Sequence, residues 1–307
     1  MTKSKNITVI VNKSWETEPL LNAMTNQALT AKTPLVSHLL PFPSVFNSPK
    51  NLKDANANNR TAVRARFQLS SGSTCLNISV WCIEDLMDPT KNASSSQEKF
   101  RVLPSALVDS PDLVISVITA NCPYDDSMNG SVLIGANSFL YNGCPGNPQS
   151  NLNPKKINQL MPSNVNAKMF ALINDTFNAV VTSDFLIPPH SPANPFVCLA
   201  SDAISVVSSI NVTDYRMYTQ VDEAARKEFN LVVKKDPDTI ETTHGVVKIS
   251  TKAPIIFISP VTDRFGHFDD DVSSVQNYVA AFNGGVVLRE LLWSLCTFVD
   301  KGNGFAK

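Results

Sequence analysis

Carboxyl side chains follow two of the apolar runs in this sequence, and they are the residues best suited to acid–base chemistry. Glu16 and Glu18 come shortly after the run at residues 7–11, and Asp263 comes shortly after the run at residues 255–258. A carboxyl group beside a bound ligand can protonate a leaving atom or orient an attacking water molecule. We therefore predict Asp263 as a general acid, and Glu16 or Glu18 as the group that positions water.

The same carboxyl groups also have simple structural explanations. Glu16 and Glu18 could complement the dipole in the first turn of a helix. Asp263 could pair with Arg264 or cap the next helix. A carboxylate in a cleft and one in a structural ion pair look alike in sequence, so both explanations stay open at this stage.

Two further polar segments could contact a ligand. Thr119 and Asn121 follow the apolar run at residues 113–118, where backbone N–H groups could meet a ribose or phosphate oxygen; the alternative is a tight turn. Glu241 and His244 place a carboxylate and an imidazole close together, and a carboxylate suits the hydroxyl groups of a sugar. Alternatively, His244 and His267 are surface residues, as a lone histidine often is.

The elements around these residues indicate an α/β fold with one mixed, mostly parallel central sheet flanked by helices. The runs at 113–118 and 255–258 are continuously apolar, which is typical of strands buried on both faces. Strand runs alternate with helical patterns, and this order favours a parallel sheet covered on both sides. Ligands bind beyond the carboxyl ends of such strands, so we expect the segments after residues 11, 118 and 258 to meet there.

Several finer predictions concern individual elements. Residues 63–69 and 76–83 are expected to form a hairpin, and Ser14 is expected to be the N-cap of the first helix. Residues 130–135 and 139–141 are predicted as a short strand pair. The closing segment at 272–299 is predicted as one long helix or two, with a break near the two glycines at 284 and 285. The chain is read as one domain over 1–307, with surface insertions near 41–60 and 142–166.

The composition excludes several classes of partner. Apolar residues make up 43% of the 307 residues, and the net charge is −1, so no positive field exists to attract nucleic acid or an anionic membrane. The apolar run near the N-terminus is too short for a signal peptide, which predicts a cytoplasmic protein. The six cysteines form no C-x-x-C pair, and nucleotide-loop and zincin motifs are absent. We therefore expect neither a metal nor another cofactor.

Taken in order, these segments resemble the methylthioadenosine/adenosylhomocysteine nucleosidases and their purine nucleoside phosphorylase relatives. Residues 15–21 (WETEPLL) are similar to the acidic segment after the first strand of that family, and residues 130–135 to its "GDVVI" strand. Residues 200–204 are similar to "SGD-x-F-I". Residues 240–245 (IETTHG) stand where the family has "VEMEG", and residues 261–263 (VTD) where it has "ISD".

The resemblance implies a three-layer phosphorylase-type fold, a nucleoside-like ligand, no cofactor and a homo-oligomer. It implies that Asp263 protonates the departing purine and that Glu16 or Glu18 activates water. The residues implied to contact the ligand are Glu241, Thr243, Thr119, Asn121, Ser201, Asp202, Ile204 and Thr262.

The sequence departs from the family pattern at several positions, and these departures affect which reaction is expected. Thr243 stands in the place of the glutamate that grips the ribose hydroxyls, and Ile204 in the place of the aromatic residue that stacks on the base. No arginine lies near the first loop to hold phosphate, so hydrolysis is favoured over phosphorolysis. Residues 210–216 (INVTDYR) are also similar to a segment of plant bark and vegetative storage proteins of this fold, which leaves a non-catalytic binding or storage protein as the alternative.

Overall fold

A computed structural model describes residues 3–26, 63–88, 90, 95–122, 125–142, 158–161, 164–166, 168–169, 171–173, 182–189, 194–198, 207–213, 218–264 and 274–306. The strands are β1 (Lys3–Val11), β2 (Val63–Ser71), β3 (Thr74–Cys82), β4 (Leu113–Val117), β5 (Ala120–Cys122), β6 (Val132–Asn142), β7 (Leu160–Met161), β8 (Val197–Cys198), β9 (Val207–Thr213), β10 (Thr239–Glu241) and β11 (Ile255–Arg264). The helices are α1 (Ser14–Thr25), α2 (Ser96–Ala106), α3 (Tyr218–Val233), α4 (His244–Ser250) and α5 (Ser274–Asp300).

The strands form one mixed sheet in the order β2-β3-β1-β4-β11-β5-β10-β9-β6-β7, with β8 beside β6. The pairs β3–β1, β1–β4, β4–β11, β11–β5 and β10–β9 are parallel. Strand β6 also pairs antiparallel with β11. This extra pairing closes β11, β5, β10, β9 and β6 into a ring, so the sheet curls on itself at the end that carries the polar strand tips.

Helices cover both faces of the sheet, because alternate side chains of its central strands are apolar on both sides. Val9 and Ile115 pack in a core cluster with residues of α1 and α5. The neighbouring side chains Ile10 and Val114 pack instead with residues of α2 and α4. These three layers confirm the predicted α/β class and the mostly parallel central sheet.

The structure corrects two predictions about individual elements. Residues 130–135 and 139–141 are not a strand pair, because residues 132–142 form the single strand β6, with a register shift between Gly135 and Asn137 where it pairs with β9. Ser14 is not the N-cap of α1; that position is Lys13, whose backbone N–H donates to the carboxylate of Glu16. A glutamate three residues after the cap therefore performs the task that was predicted for the serine hydroxyl.

Helix α5 is continuous through Gly284 and Gly285. A Cβ atom at Gly284 would lie 2.4 Å from Cγ of Pro260, and one at Gly285 would lie 2.4 Å from the carbonyl oxygen of Leu20. The two glycines therefore permit close approach of α5 to β11 and α1 and do not break the helix.

Helix α5 is also long and apolar enough to cross a membrane, with a mean hydropathy of 1.3, but 89% of its most apolar window is buried inside the fold. Such burial is typical of a core helix. The insertion at 41–60 lies outside the described residues, as does most of the one at 142–166. The single-domain interpretation and the cytoplasmic location stay predictions.

Candidate functional site

The predicted strand tips meet at one edge of the sheet. Asp263 on β11 lies opposite Asn121 on β5, and Asn121 lies opposite Ile240 on β10, directly before Glu241. With neighbouring strands about 4.8 Å apart, the backbones at Asp263 and Ile240 are about 10 Å from each other. One side of a small ligand can therefore face all three strands at once.

A bulge sets the position of Asp263. The parallel pairing of β11 with β5 skips Thr262, so that Val261 lies opposite Ala120 while Asp263 lies opposite the next residue of β5. Bulges change the face to which the following side chain points and are frequent beside active sites. The Thr262 hydroxyl lies 3.4 Å from the carbonyl oxygen of Ala120, and its carbonyl accepts a hydrogen bond from Gln276 of α5.

The carboxyl group of Asp263 is almost completely inside the protein, with 2% of the residue exposed. One of its oxygens, Oδ1, accepts the backbone N–H of Arg264 at 2.7 Å. The guanidinium of Arg264 lies 3.5 Å from Asp126, in a half-exposed ion pair. Asp263 is thus held at the end of β11 in a water-poor place, which is the environment that a general acid requires.

Glu16 and Thr119 are in direct contact at the next strand tip. Thr119 donates its backbone N–H, at 2.9 Å, and its hydroxyl to Oε1 of Glu16, and Lys13 donates its N–H to Oε2 at 2.7 Å. Burial raises the pKa of Glu16 above its usual 4.5, and these hydrogen bonds partly offset the rise. Because Thr119 is two residues from Asn121, this carboxylate lies on the same edge as Asp263.

Glu18 does not share this environment. It lies two residues after Glu16 in sequence, which turns its side chain to another face of α1, and the residue is exposed while Glu16 is buried. Of the two predicted glutamates, the structure brings Glu16 to the strand tips and leaves Glu18 at the surface.

Glu241 is buried and close to its neighbours in sequence. Its carboxylate accepts the backbone N–H groups of Thr243 and His244, the latter at 2.7 Å. Thr243 is completely buried, and its hydroxyl accepts a hydrogen bond from the ammonium group of Lys99 at 2.9 Å. The carboxylate predicted to hold a sugar thus also fixes the turn between β10 and α4.

His244 is not a surface residue, in contrast to the alternative interpretation of the sequence. It is 0% exposed, its Nδ1 lies 2.8 Å from the hydroxyl of Ser116, and its Nε2 lies 3.0 Å from that of Ser259. Burial, together with the nearby charge of Lys99, lowers the pKa of His244 well below its usual 6.5. The neutral ring links β4 to β11 beneath the strand tips.

Sequence reasoning missed Lys99 and Gln276, which hold the segments around the site. One signal for Lys99 was present: it falls on the buried stripe of α2 with Ser96, Val102 and Leu103. A lysine at such a position needs buried acceptors, and the sequence alone did not show which residues supply them.

Some predicted site residues cannot be placed. Ser201, Asp202, Ile204 and His267 lie outside the described residues. Within the ranges that the structure describes, no group of three or more His, Cys, Asp or Glu side chains could hold a metal ion. The predicted absence of a cofactor stays a prediction.

The comparisons with known proteins rest on structure. No protein-family model and no curated protein matches the sequence. A 5′-methylthioadenosine/S-adenosylhomocysteine nucleosidase from Campylobacter jejuni matches with a TM-score of 0.53 at 10% identity, over 94% of this chain and 98% of that one. A nucleosidase of the same name from Colwellia psychrerythraea, in complex with adenine, gives 0.54 at 11% identity over 96% and 97%. The futalosine hydrolase of Helicobacter pylori gives 0.51 at 10% identity over 94% and 97%.

These likenesses extend over nearly the whole length of each protein. The chain therefore shares the three-layer α/β fold of these nucleosidases, as the order of its segments predicted. At 10–11% identity the likeness shows the fold, and the activity has to be argued from the residues of this chain.

Proposed function

We propose that this protein hydrolyses the N-glycosidic bond of a purine-type nucleoside. The observation that supports the proposal most strongly is that a buried aspartate and a buried glutamate lie at the same edge of the sheet, the first opposite Asn121 and the second bound to Thr119. The fold is shared with nucleosidases, one of which was crystallised with adenine, and the strand tips are where such folds bind ligands.

Each carboxyl group has a distinct role in this reaction. Asp263 protonates the base as the bond to the sugar breaks, which makes the base a better leaving group. Glu16, held by Thr119 and Lys13, orients the water that attacks the sugar carbon and takes its proton. The positive charge that develops on the sugar is stabilised by the nearby carboxylates. The sugar lies against the tip that carries Thr119, Asn121, Glu241 and Thr243.

The main alternative is a protein that binds a nucleoside without cleaving it, as a storage or binding protein. Thr243 supports this alternative, because it provides a buried hydroxyl bound to Lys99 where a second carboxylate would grip the ribose. A phosphorylase is the second alternative, and it requires turnover that depends strictly on phosphate.

Incubation of the purified protein with a panel of purine nucleosides, with and without phosphate, separates these functions. Chromatography would detect the free base. Release of base without phosphate is expected for a hydrolase, and release only with phosphate indicates a phosphorylase. Binding of nucleosides that stay intact over long incubation would contradict hydrolysis and favour the binding protein.

A further inference from the structure

Lys99 is a fully buried cation that no predicted role explains. It lies on the core-facing side of α2 and is 0% exposed. Its ammonium group donates to the carbonyl and hydroxyl oxygens of Thr242 and to the hydroxyl of Thr243, each at 2.9 Å. An ammonium group carries three donors, and three hydrogen bonds of Lys99 go to the turn between β10 and α4.

That turn is connected to three of the strands that carry the candidate site, β10, β4 and β11. Glu241 ends β10 and accepts the N–H groups of Thr243 and His244. The ring of His244 then contacts Ser116 on β4 and Ser259 on β11. Thr119 follows the first of these strands and Asp263 is near the end of the second, so a displacement of the turn would move the supports of all three tips.

A lysine at this place carries an energetic cost as well as its hydrogen bonds. A buried ammonium loses its hydration, and a positive charge is unfavourable beside the N-terminus of a helix, which here is the start of α4. A neutral apolar side chain would avoid both costs but would leave the oxygens of Thr242 and Thr243 without this donor. The buried carboxylate of Glu241 binds the backbone of the same turn, so the cation and the carboxylate hold one segment from two sides of its hydrogen bonding.

We propose that Lys99 is a positioning residue of the nucleosidase site, holding the turn at Thr242 and Thr243 so that Glu241 and the strand tips keep the geometry that the reaction needs. The inference rests on the proposed function, and its first test measures kinetics. A second test measures the structure of the turn and does not need turnover. Lys99 does not contact the ligand; it acts through the turn.

The kinetic test measures kcat and KM of wild type, K99M, T242V and T242S in the nucleoside assay. K99M is expected to lower kcat by roughly tenfold to hundredfold, with a smaller change in KM, since small displacements of reacting groups cost this much. T242V removes one acceptor of Lys99 at constant shape and should lower kcat in the same direction, while the conservative T242S restores it. K252M, a change of an exposed lysine, is the matched control. Equal kcat in K99M and wild type would overturn the assignment.

A second test needs no turnover. Amide hydrogen exchange of Thr243 and His244 is expected to be faster in K99M, because the turn loses its three anchoring bonds, and the NMR-detected pKa of His244 should rise as the neighbouring positive charge is removed. If the wild-type protein releases no base from any nucleoside, the proposed function fails and these signals alone decide the role of Lys99. If K99M folds and shows the same amide exchange rates and the same His244 pKa as wild type, the role assigned to Lys99 is wrong. If K99M does not fold, amide exchange and the His244 pKa are compared between T242V and T242S instead.

Discussion

Thr119 donates both its backbone N–H and its hydroxyl to the same carboxylate oxygen of Glu16, although 103 residues separate them in sequence. This contact ties the first turn of α1 to the tip of β4. It selects Glu16 over Glu18 as the candidate for positioning water, because only Glu16 is held on the edge that carries Asp263.

Replacement E16Q is expected to reduce nucleoside hydrolysis by roughly 10²–10⁴, since it removes a general base. Release of free base under saturating nucleoside measures the effect. E223Q, at an exposed position of α3, is the matched control and should keep wild-type activity. Loss of activity in E18Q with retention in E16Q would show that the structural assignment is wrong.

The pH profile offers an independent check on Glu16. Burial raises the pKa of this carboxyl group above 4.5, and a base is active only when it is deprotonated. Activity should therefore fall on the acidic side at a pH above 4.5, and kcat/KM measured between pH 4 and 9 should show this limb. An acidic limb at or below pH 4.5 would indicate an unperturbed carboxylate instead.

Replacement D263N should lower turnover roughly hundredfold or more, because the amide cannot protonate a leaving base. The side-chain oxygen can still accept the N–H of Arg264, so the fold is expected to survive, which circular dichroism would check. D109N, at an exposed position after α2, serves as the control, since surface substitutions usually have little effect on stability. Undiminished turnover in D263N would remove Asp263 from the mechanism.

Acid should destabilise the protein through His244. Its folded pKa lies well below 6.5, so the unfolded chain binds a proton that the folded chain does not. The contribution of His244 to the free energy of unfolding is complete above pH 6.5 and is lost as the pH falls below it. For one proton, the free energy of unfolding changes by at most about 1.4 kcal/mol per pH unit. Urea unfolding of wild type and H244Q at pH 8, 6 and 5 measures it. The difference in free energy of unfolding between wild type and H244Q should become smaller at low pH. A difference that does not change with pH would contradict the assignment.

The two glycines of α5 provide a test of packing. Alanine usually favours a helix over glycine by about 1 kcal/mol, but a Cβ at position 285 would lie 2.4 Å from the Leu20 carbonyl oxygen and 2.8 Å from Ala23. G285A is therefore expected to lower the free energy of unfolding by about 1–3 kcal/mol. G304A is the control, because a Cβ there meets no atom within 4 Å. Stabilisation by G285A would mean that α1 and α5 are less closely packed.

The sequence was sufficient for the layers of the fold and for the strand tips, because long apolar runs such as 113–118 and 255–258 leave few alternatives to buried strands. It did not reveal that β6 is continuous, since its polar residues Asn137 and Ser138 interrupt the apolar pattern while pairing with β9 holds the strand together. Local propensity cannot account for such tertiary support.

The supports of the site were beyond the sequence for a similar reason. The partners of His244 are 128 and 15 residues away, and those of Lys99 are more than 140 residues away. Lys99 belongs to no recognised motif, and the segment at 240–245 does not itself reveal that His244 is buried, so only the folded chain shows that both residues lie in one polar network. The roles of Ser201, Asp202 and Ile204, and the homo-oligomer, stay predictions.

Strand β11 pairs with three other strands, with β4 and β5 along one edge and with β6 along the other. A slip of one residue would break all three ladders and reverse every side chain on the strand. The aspartate near its end consequently has almost no freedom to move to suit a different ligand. In a protein built this way, we expect changes of specificity to arise from side chains at the strand tips and from the segments that follow them, while the backbone of β11 keeps its place.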